Sequence, residues 1–229
     1  MTVIGWILSW VVAAAIATAA QAPPPARFDY VVRADFFAGF GGDQARLARG
    51  MDECERTLAA TPDHAEALVW HGAGLTYQGG TAFQRGDTQT GLELWNRGLA
   101  EMDRAVALDP DNVGVRIPRG AMLLQATRNL PPSMAKSLIE KGVGDYERTL
   151  ALQTASGVFA AFGSHPRGEL LFGLADGYAR LGDIEHARAY FERLIKDAPD
   201  SGQAPKAREW MTNGSLPPSK GVTCVGCHK

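Results

Sequence analysis

Apolar residues recur at helical spacing through much of this chain. Leu171, Leu174, Ala175 and Tyr178 fall on one face of a helix. Ala187, Phe191 and Leu194 fall on one face of the next. Gly182-Asp183 makes the turn between them, and Pro199 stops the second helix. Upstream, residues 28–40 are apolar and aromatic and predict a first helix that covers one end of the fold. Gly39-Phe40-Gly41-Gly42 reads as a turn. The helical pattern ends after Met211. The pattern predicts an all-α chain with no sheet.

The helical pattern repeats. Gly50, Gly98, Gly142 and Ala187 are small residues, each followed four positions later by a larger one: Cys54, Met102, Tyr146 and Phe191. An acidic-Arg pair comes next in each copy: Glu55-Arg56, Asp103-Arg104, Glu147-Arg148 and Glu192-Arg193. The small positions are 48, 44 and 45 residues apart. A small residue lets a large side chain on the neighbouring helix approach closely. A helix pair cannot bury its apolar face alone, so pairs stack. The acidic-Arg pairs predict a solvated face with ion pairs between repeats, since adjacent residues do not face each other on a helix. Cys54 reads as a small core residue. In these features the chain resembles the tetratricopeptide repeats, whose second helix carries such a pattern. The resemblance implies a solenoid of helical hairpins over residues 21–211 that docks a partner in its concave face. The observed steps exceed that family's repeat of about 34 residues. Inserts are therefore expected, and they are read as loops at 79–91, 127–134 and 154–167, where Gly, Pro, Ser or Thr are frequent. Pro118 predicts a kink or a late start in the helix around it.

The C-terminal residues Cys224-Val225-Gly226-Cys227-His228-Lys229 carry the candidate chemistry. Two cysteines at this spacing can each form a thioether to one porphyrin's vinyl groups, and the adjacent imidazole can bind the iron. A CxxC pair can also close a disulfide, bind zinc or stay idle. Zinc needs about four ligands, and the only other cysteine is Cys54. Together with Gly221-Val222-Thr223, the motif resembles the haem segments of c-type cytochromes. The resemblance implies one covalent haem c on Cys224 and Cys227, His228 as proximal iron ligand, and electron transfer. His165, in Gly163-Ser164-His165-Pro166, is read as a loop residue and the first candidate for the second axial ligand. Met211, Lys229 and the terminal carboxylate are weaker candidates. His64, His71 and His186 read as ordinary surface or packed residues. Residues 212–223 read as a linker, so 212–229 form a short irregular tail bearing the haem. Little chain follows His228, so the haem's cover is expected from the solenoid, a partner or another copy. Self-association through the tail is one consequence.

The other end of the chain changes the cellular picture. Residues 3–20 contain no charge and finish in an alanine-rich run before Pro23-Pro24-Pro25. That reads as a signal peptide over residues 1–20, with cleavage after Ala19 or Ala20, although no Lys or Arg precedes the apolar run. An uncleaved membrane anchor is the alternative. Either places the body in the periplasm or outside the cell, the side on which cytochromes of this class receive haem. The net charge of −2 gives no electrostatic reason for a nucleic-acid partner. The partner is expected to be a redox protein or another envelope protein. No nucleophile elbow, HExxH or phosphate loop appears, so catalysis is not the first expectation. A non-haem interaction module with a CxxC disulfide, and a haem enzyme or gas sensor, remain the alternatives.

Overall fold

A computed structural model describes residues 27–215. Among these residues the chain is all helix with no strand. Helices α1 (Asp29–Phe40) and α2 (Gln44–Ala60) form a first hairpin, and α3 (Ala65–Gln84) and α4 (Thr88–Leu108) a second. The third pairs α5 (Val113–Ala126) with α6 (Pro132–Ala155). A short α7 (Val158–Ala161) leads to a fourth, α8 (Ser164–Leu181) with α9 (Ile184–Asp197), and α10 (Ala204–Asn213) packs on α9.

Local chemistry sets the helix starts. The side chains of Asp43, His64, Asp87, Asn112 and Asp183 each accept a backbone N–H in the first turn of the helix that follows. Where a tight turn needs a left-handed residue, glycine supplies it. Gly182 between α8 and α9 has φ +82°.

The small positions of the repeat do what their spacing predicts. A Cβ on Gly98 would stand 2.5 Å from the Gly72 carbonyl oxygen and 2.4 Å from Thr76 Oγ1. One on Gly142 would meet Leu124 at 3.0 Å, and one on Gly50 would meet the Phe36 ring at 3.0 Å. The larger partners Cys54, Met102, Tyr146 and Phe191 are all buried.

Two apolar clusters result. The first joins Val32, Phe36, Leu47, Cys54, Trp70 and Met102 from α1 to α4. The second joins Tyr146, Leu171, Leu174, Phe191, Leu194 and Trp210 from α6 to α10. Helix α5 serves both: Val115, Met122 and Leu123 enter the first cluster, and Ala121 and Leu124 the second.

Three sequence expectations are corrected. Residues 79–91 are not a loop: α3 runs to Gln84, α4 starts at Thr88, and only a short turn separates them. Gly79 and Gly91 are contact points rather than breakers, since a Cβ on Gly79 would lie 2.9 Å from Trp95 N and one on Gly91 2.6 Å from the Phe83 ring. Residues 154–167 are only partly loop, because α8 begins at Ser164. Pro166 falls in the first turn of α8, where a helix has no use for the missing N–H. Helix α5 does not start late: it begins at Val113 and continues through a buried Pro118. The loop expected at 127–134 is mostly that, a 3-10 turn at Thr127–Asn129 followed by Leu130 and Pro131 before α6.

Candidate functional site

Cys224, Cys227 and His228 lie outside the described residues, as do the linker beyond residue 215 and the apolar segment 3–20. The described residues supply the surroundings. His165 is the second residue of α8, not a loop residue, and it is exposed. Met211, the weaker candidate, sits near the end of α10 and packs against the second apolar cluster. Between the two, His165 presents the more accessible donor, because recruiting Met211 would uncover part of that cluster.

The other histidines are engaged in the fold. His64 caps α3 and lies beside the Phe28 ring, with centroids 5.0 Å apart. His186 pairs with Asp183 at 2.8 Å and stacks on Tyr178. His71 is buried, with Nδ1 2.5 Å from Glu101 and Nε2 3.5 Å from Glu55. Burial of Glu101 works to raise its pKa. The hydrogen bond and charge of His71, with help from Arg97, outweigh that and hold it below the ordinary glutamate value.

The acidic-Arg pairs divide their work. Arg104 of α4 bonds to Asp63, and Arg148 of α6 bonds to Asp111 at 2.7 Å. Each of these Asp residues follows a proline in the turn after the preceding copy, so the same link recurs one repeat on. The fourth Arg has no such turn to reach, and Arg193 pairs with Asp197 on its own helix at 3.1 Å. Among the acidic members, Asp103 joins a network whose centre is buried. Arg119 grips Asp145 with two hydrogen bonds, of 2.7 and 2.8 Å, and also holds Asp103 at 2.8 Å. Lys141 meets the other Asp103 oxygen at 2.6 Å, and Arg116 bonds to Asp145 at 2.8 Å. Among the described residues, no cluster of three or more His, Cys, Asp and Glu is set to hold a metal ion. No helix among them is long and apolar enough to cross a membrane.

The fourth hairpin has the geometry of a complete repeat. Leu171, Leu174 and Ala175 from α8 meet Ala187, Phe191 and Leu194 from α9, and all are buried. Residues 168–201 match the tetratricopeptide repeat. The match spans most of α8, all of α9 and the turn beyond it. It supports a tetratricopeptide-like helical protein; repeats of this kind generally mediate protein–protein contact, which is consistent with a protein partner. No match was found among curated proteins.

One cluster escaped the sequence reading. A cleft between α1, α3 and α5 is lined by Arg27, Asp29, Arg33, Phe37, Phe40, Trp70, Ala73, Ile117, Pro118 and Met122. Arg27 bonds to Asp29 at 2.8 Å, and Arg33 lies 3.5 Å from the same carboxylate oxygen. Both guanidinium groups also lie over the Tyr30 ring, at 5.5 and 5.1 Å. The sequence signal was an acid flanked by two arginines, Arg27-Phe28-Asp29 and Arg33, at the start of an apolar segment. It went unread because Trp70 and Ile117, which complete the cleft, come from distant helices.

Proposed function

We propose that this protein is an exported electron-transfer protein: a short solenoid of helical hairpins that docks a protein partner and carries one covalent haem on its C-terminal tail. The single observation behind the redox half is the donor set Cys224, Cys227 and His228. Two thiols and an imidazole at that spacing suit covalent haem better than zinc, because Cys54 is buried in the first apolar cluster and cannot add a ligand. Bound haem would supply a one-electron couple. His228 would hold its iron from one side, and His165, exposed on the first turn of α8, is the proposed ligand from the other.

The apolar segment 3–20 supports export, which would bring the chain to the compartment where disulfides and thioether-linked haem persist. The repeat match and the all-helical body support the docking half.

The test is intact mass of the full chain, produced in a host that matures c-type cytochromes. The expected mass exceeds the processed polypeptide by one haem, and Cys224→Ala with Cys227→Ala removes the increment. Bare polypeptide from a competent host overturns the redox half. In that event the repeat match favours the second reading, an envelope interaction module whose tail cysteines form a disulfide.

A further inference from the structure

Three rings stack in a row on the surface of the fourth hairpin. His186 lies on Tyr178 with centroids 4.9 Å apart, and Tyr178 lies on Tyr190 at 5.8 Å with planes only 10° apart. His186 is 59% exposed, and both tyrosines are half-buried. The tyrosines pack against the second apolar cluster and keep part of their surface open. The Tyr178 hydroxyl donates to Glu147, so the row joins α6, α8 and α9. Beside it, on the first turn of α9, Ile184 is 49% exposed.

The course of α10 indicates which segment comes to this row. Helix α10 turns back along α9: Trp210, near its end, lies on Phe191 at 4.7 Å, and Arg188 lies over the Trp210 ring. Its end at Asn213 therefore comes beside the start of α9, where Gly214, with φ +71°, closes the helix. The next residues are Leu216-Pro217-Pro218-Ser219-Lys220. From Gly214 to Lys220 an extended chain covers about 20 Å. A helix is about 10–12 Å across, so this segment can cross the first turn of α9 and run along the row. The other proline run, Pro23-Pro24-Pro25, precedes α1 in the first hairpin.

The chemistry fits as well. Two consecutive prolines hold the backbone near polyproline II, so little freedom is left to lose. Such segments dock on aromatic surfaces. The row is edged by acids: Glu147 at Tyr178, and Asp183 and Glu185 at His186. Arg193, near Tyr190, is already paired with Asp197. Residues 215–229 carry Lys220 and Lys229 and no acid. We propose that residues 216–220 fold back on their own chain and dock on this row. Leu216 covers Ile184, Pro217 and Pro218 lie along His186, Tyr178 and Tyr190, and Lys220 meets Glu147. The tail then leaves the row along α9, towards the start of α8, where His165 lies. The docking does not depend on the haem reading.

The test is NMR of the tyrosine rings in the full chain carrying Cys224→Ser and Cys227→Ser, which keeps haem and disulfides out of the readout. Ring resonances are assigned with Tyr178→Phe and Tyr190→Phe. Pro217→Gly with Pro218→Gly should release the segment and shift both ring resonances, with the melting temperature little changed. A peptide of residues 215–221 added to that variant should return the resonances towards their original positions. It should bind at least tenfold more weakly to the chain with its prolines intact, whose row is already occupied. Lys220→Glu in the peptide should weaken it severalfold. Unmoved ring resonances in the glycine variant overturn the docking. So does a peptide that fails to restore them at millimolar concentration, the effective concentration of a short tether. Equal binding of the peptide to both chains overturns the tail as occupant and leaves the row to a proline-rich segment of another protein. Ring shifts that appear only as protein concentration rises overturn the fold-back in favour of a second copy.

Discussion

At the residue scale, two glycines on helices show how the same residue type plays opposite parts. Gly98 sits where α4 crosses α3, with no room for a Cβ against the Gly72 carbonyl. Gly144, two residues past the small position of the third copy, has open space around its Cα. Helix propensity favours alanine over glycine by about 0.8–1.0 kcal/mol in a helix interior. Gly144→Ala should therefore stabilise by up to about 1 kcal/mol, whereas Gly98→Ala should destabilise by about 1–3 kcal/mol through overpacking. Urea unfolding of both variants checks the pair, and a gain at Gly98 would contradict the close approach of these helices. Cys54 belongs at this scale too. Burial, the largest cause, and neighbouring Glu53, Glu101 and Glu55 push its thiol far above the ordinary range. It should resist alkylation in the folded protein and react once denaturant is added. Mass spectrometry on a Cys224→Ser, Cys227→Ser background reads this without interference from the tail.

At the scale of elements, charged groups join helices that apolar packing alone would leave free to slide. The Glu66 carboxylate of α3 accepts the Phe28 and Asp29 backbone N–H groups at 2.7 and 3.3 Å, and the Asn112 side-chain amide at 3.2 Å. One side chain thus satisfies the start of α1 and braces the cap of α5. The Asp145–Arg119 pair ties α6 to α5 where Asp145 has no exposure. Asp145→Ala strips the Arg119 guanidinium of two of its three carboxylate hydrogen bonds, leaving only the more exposed Asp103, and should cost up to about 3–5 kcal/mol, read from chemical denaturation. The pH dependence follows from Glu101. Its folded pKa lies below the unfolded one, so its contribution is complete above the unfolded value, about 4.3, and is lost as pH falls through the folded value. Glu101→Gln should lower stability at neutral pH and flatten the fall on acidification; an unchanged acid limb would separate Glu101 from the His71 linkage.

At the scale of the whole molecule, the described helices close their own apolar clusters, and α5 couples the two. Deleting residues 221–229 should leave the helical circular-dichroism signal and the unfolding midpoint close to those of the full chain. A large loss would mean that the tail belongs to the core. If the tail carries the proposed haem with His165 as its second ligand, His165→Ala should convert a six-coordinate low-spin absorbance spectrum to a high-spin one. An unchanged spectrum removes His165 from the iron and turns attention to a ligand from a partner or a second copy.

The sequence by itself determined the helical class, the four small positions and the larger side chains that answer them. These are local properties: period, size and spacing are written along the chain. It also foretold ion pairs between repeats, which Arg104 and Arg148 make to Pro-Asp turns, whereas Arg56 and Arg193 pair on their own helices. The tertiary structure decided what a glycine or proline meant. Gly79, Gly91 and Pro166 read as loop residues and Pro118 as a kink or late start, yet Trp95 and Phe83 lie against the two glycines and both prolines sit within helices. A missing side chain or a missing N–H signals a turn only when no neighbour needs the space and no helix can spare the bond. That depends on what lies across the interface. The cleft of Arg27, Asp29, Arg33 and Trp70 was decided the same way, since its walls come from three helices far apart in the chain and become neighbours only on folding.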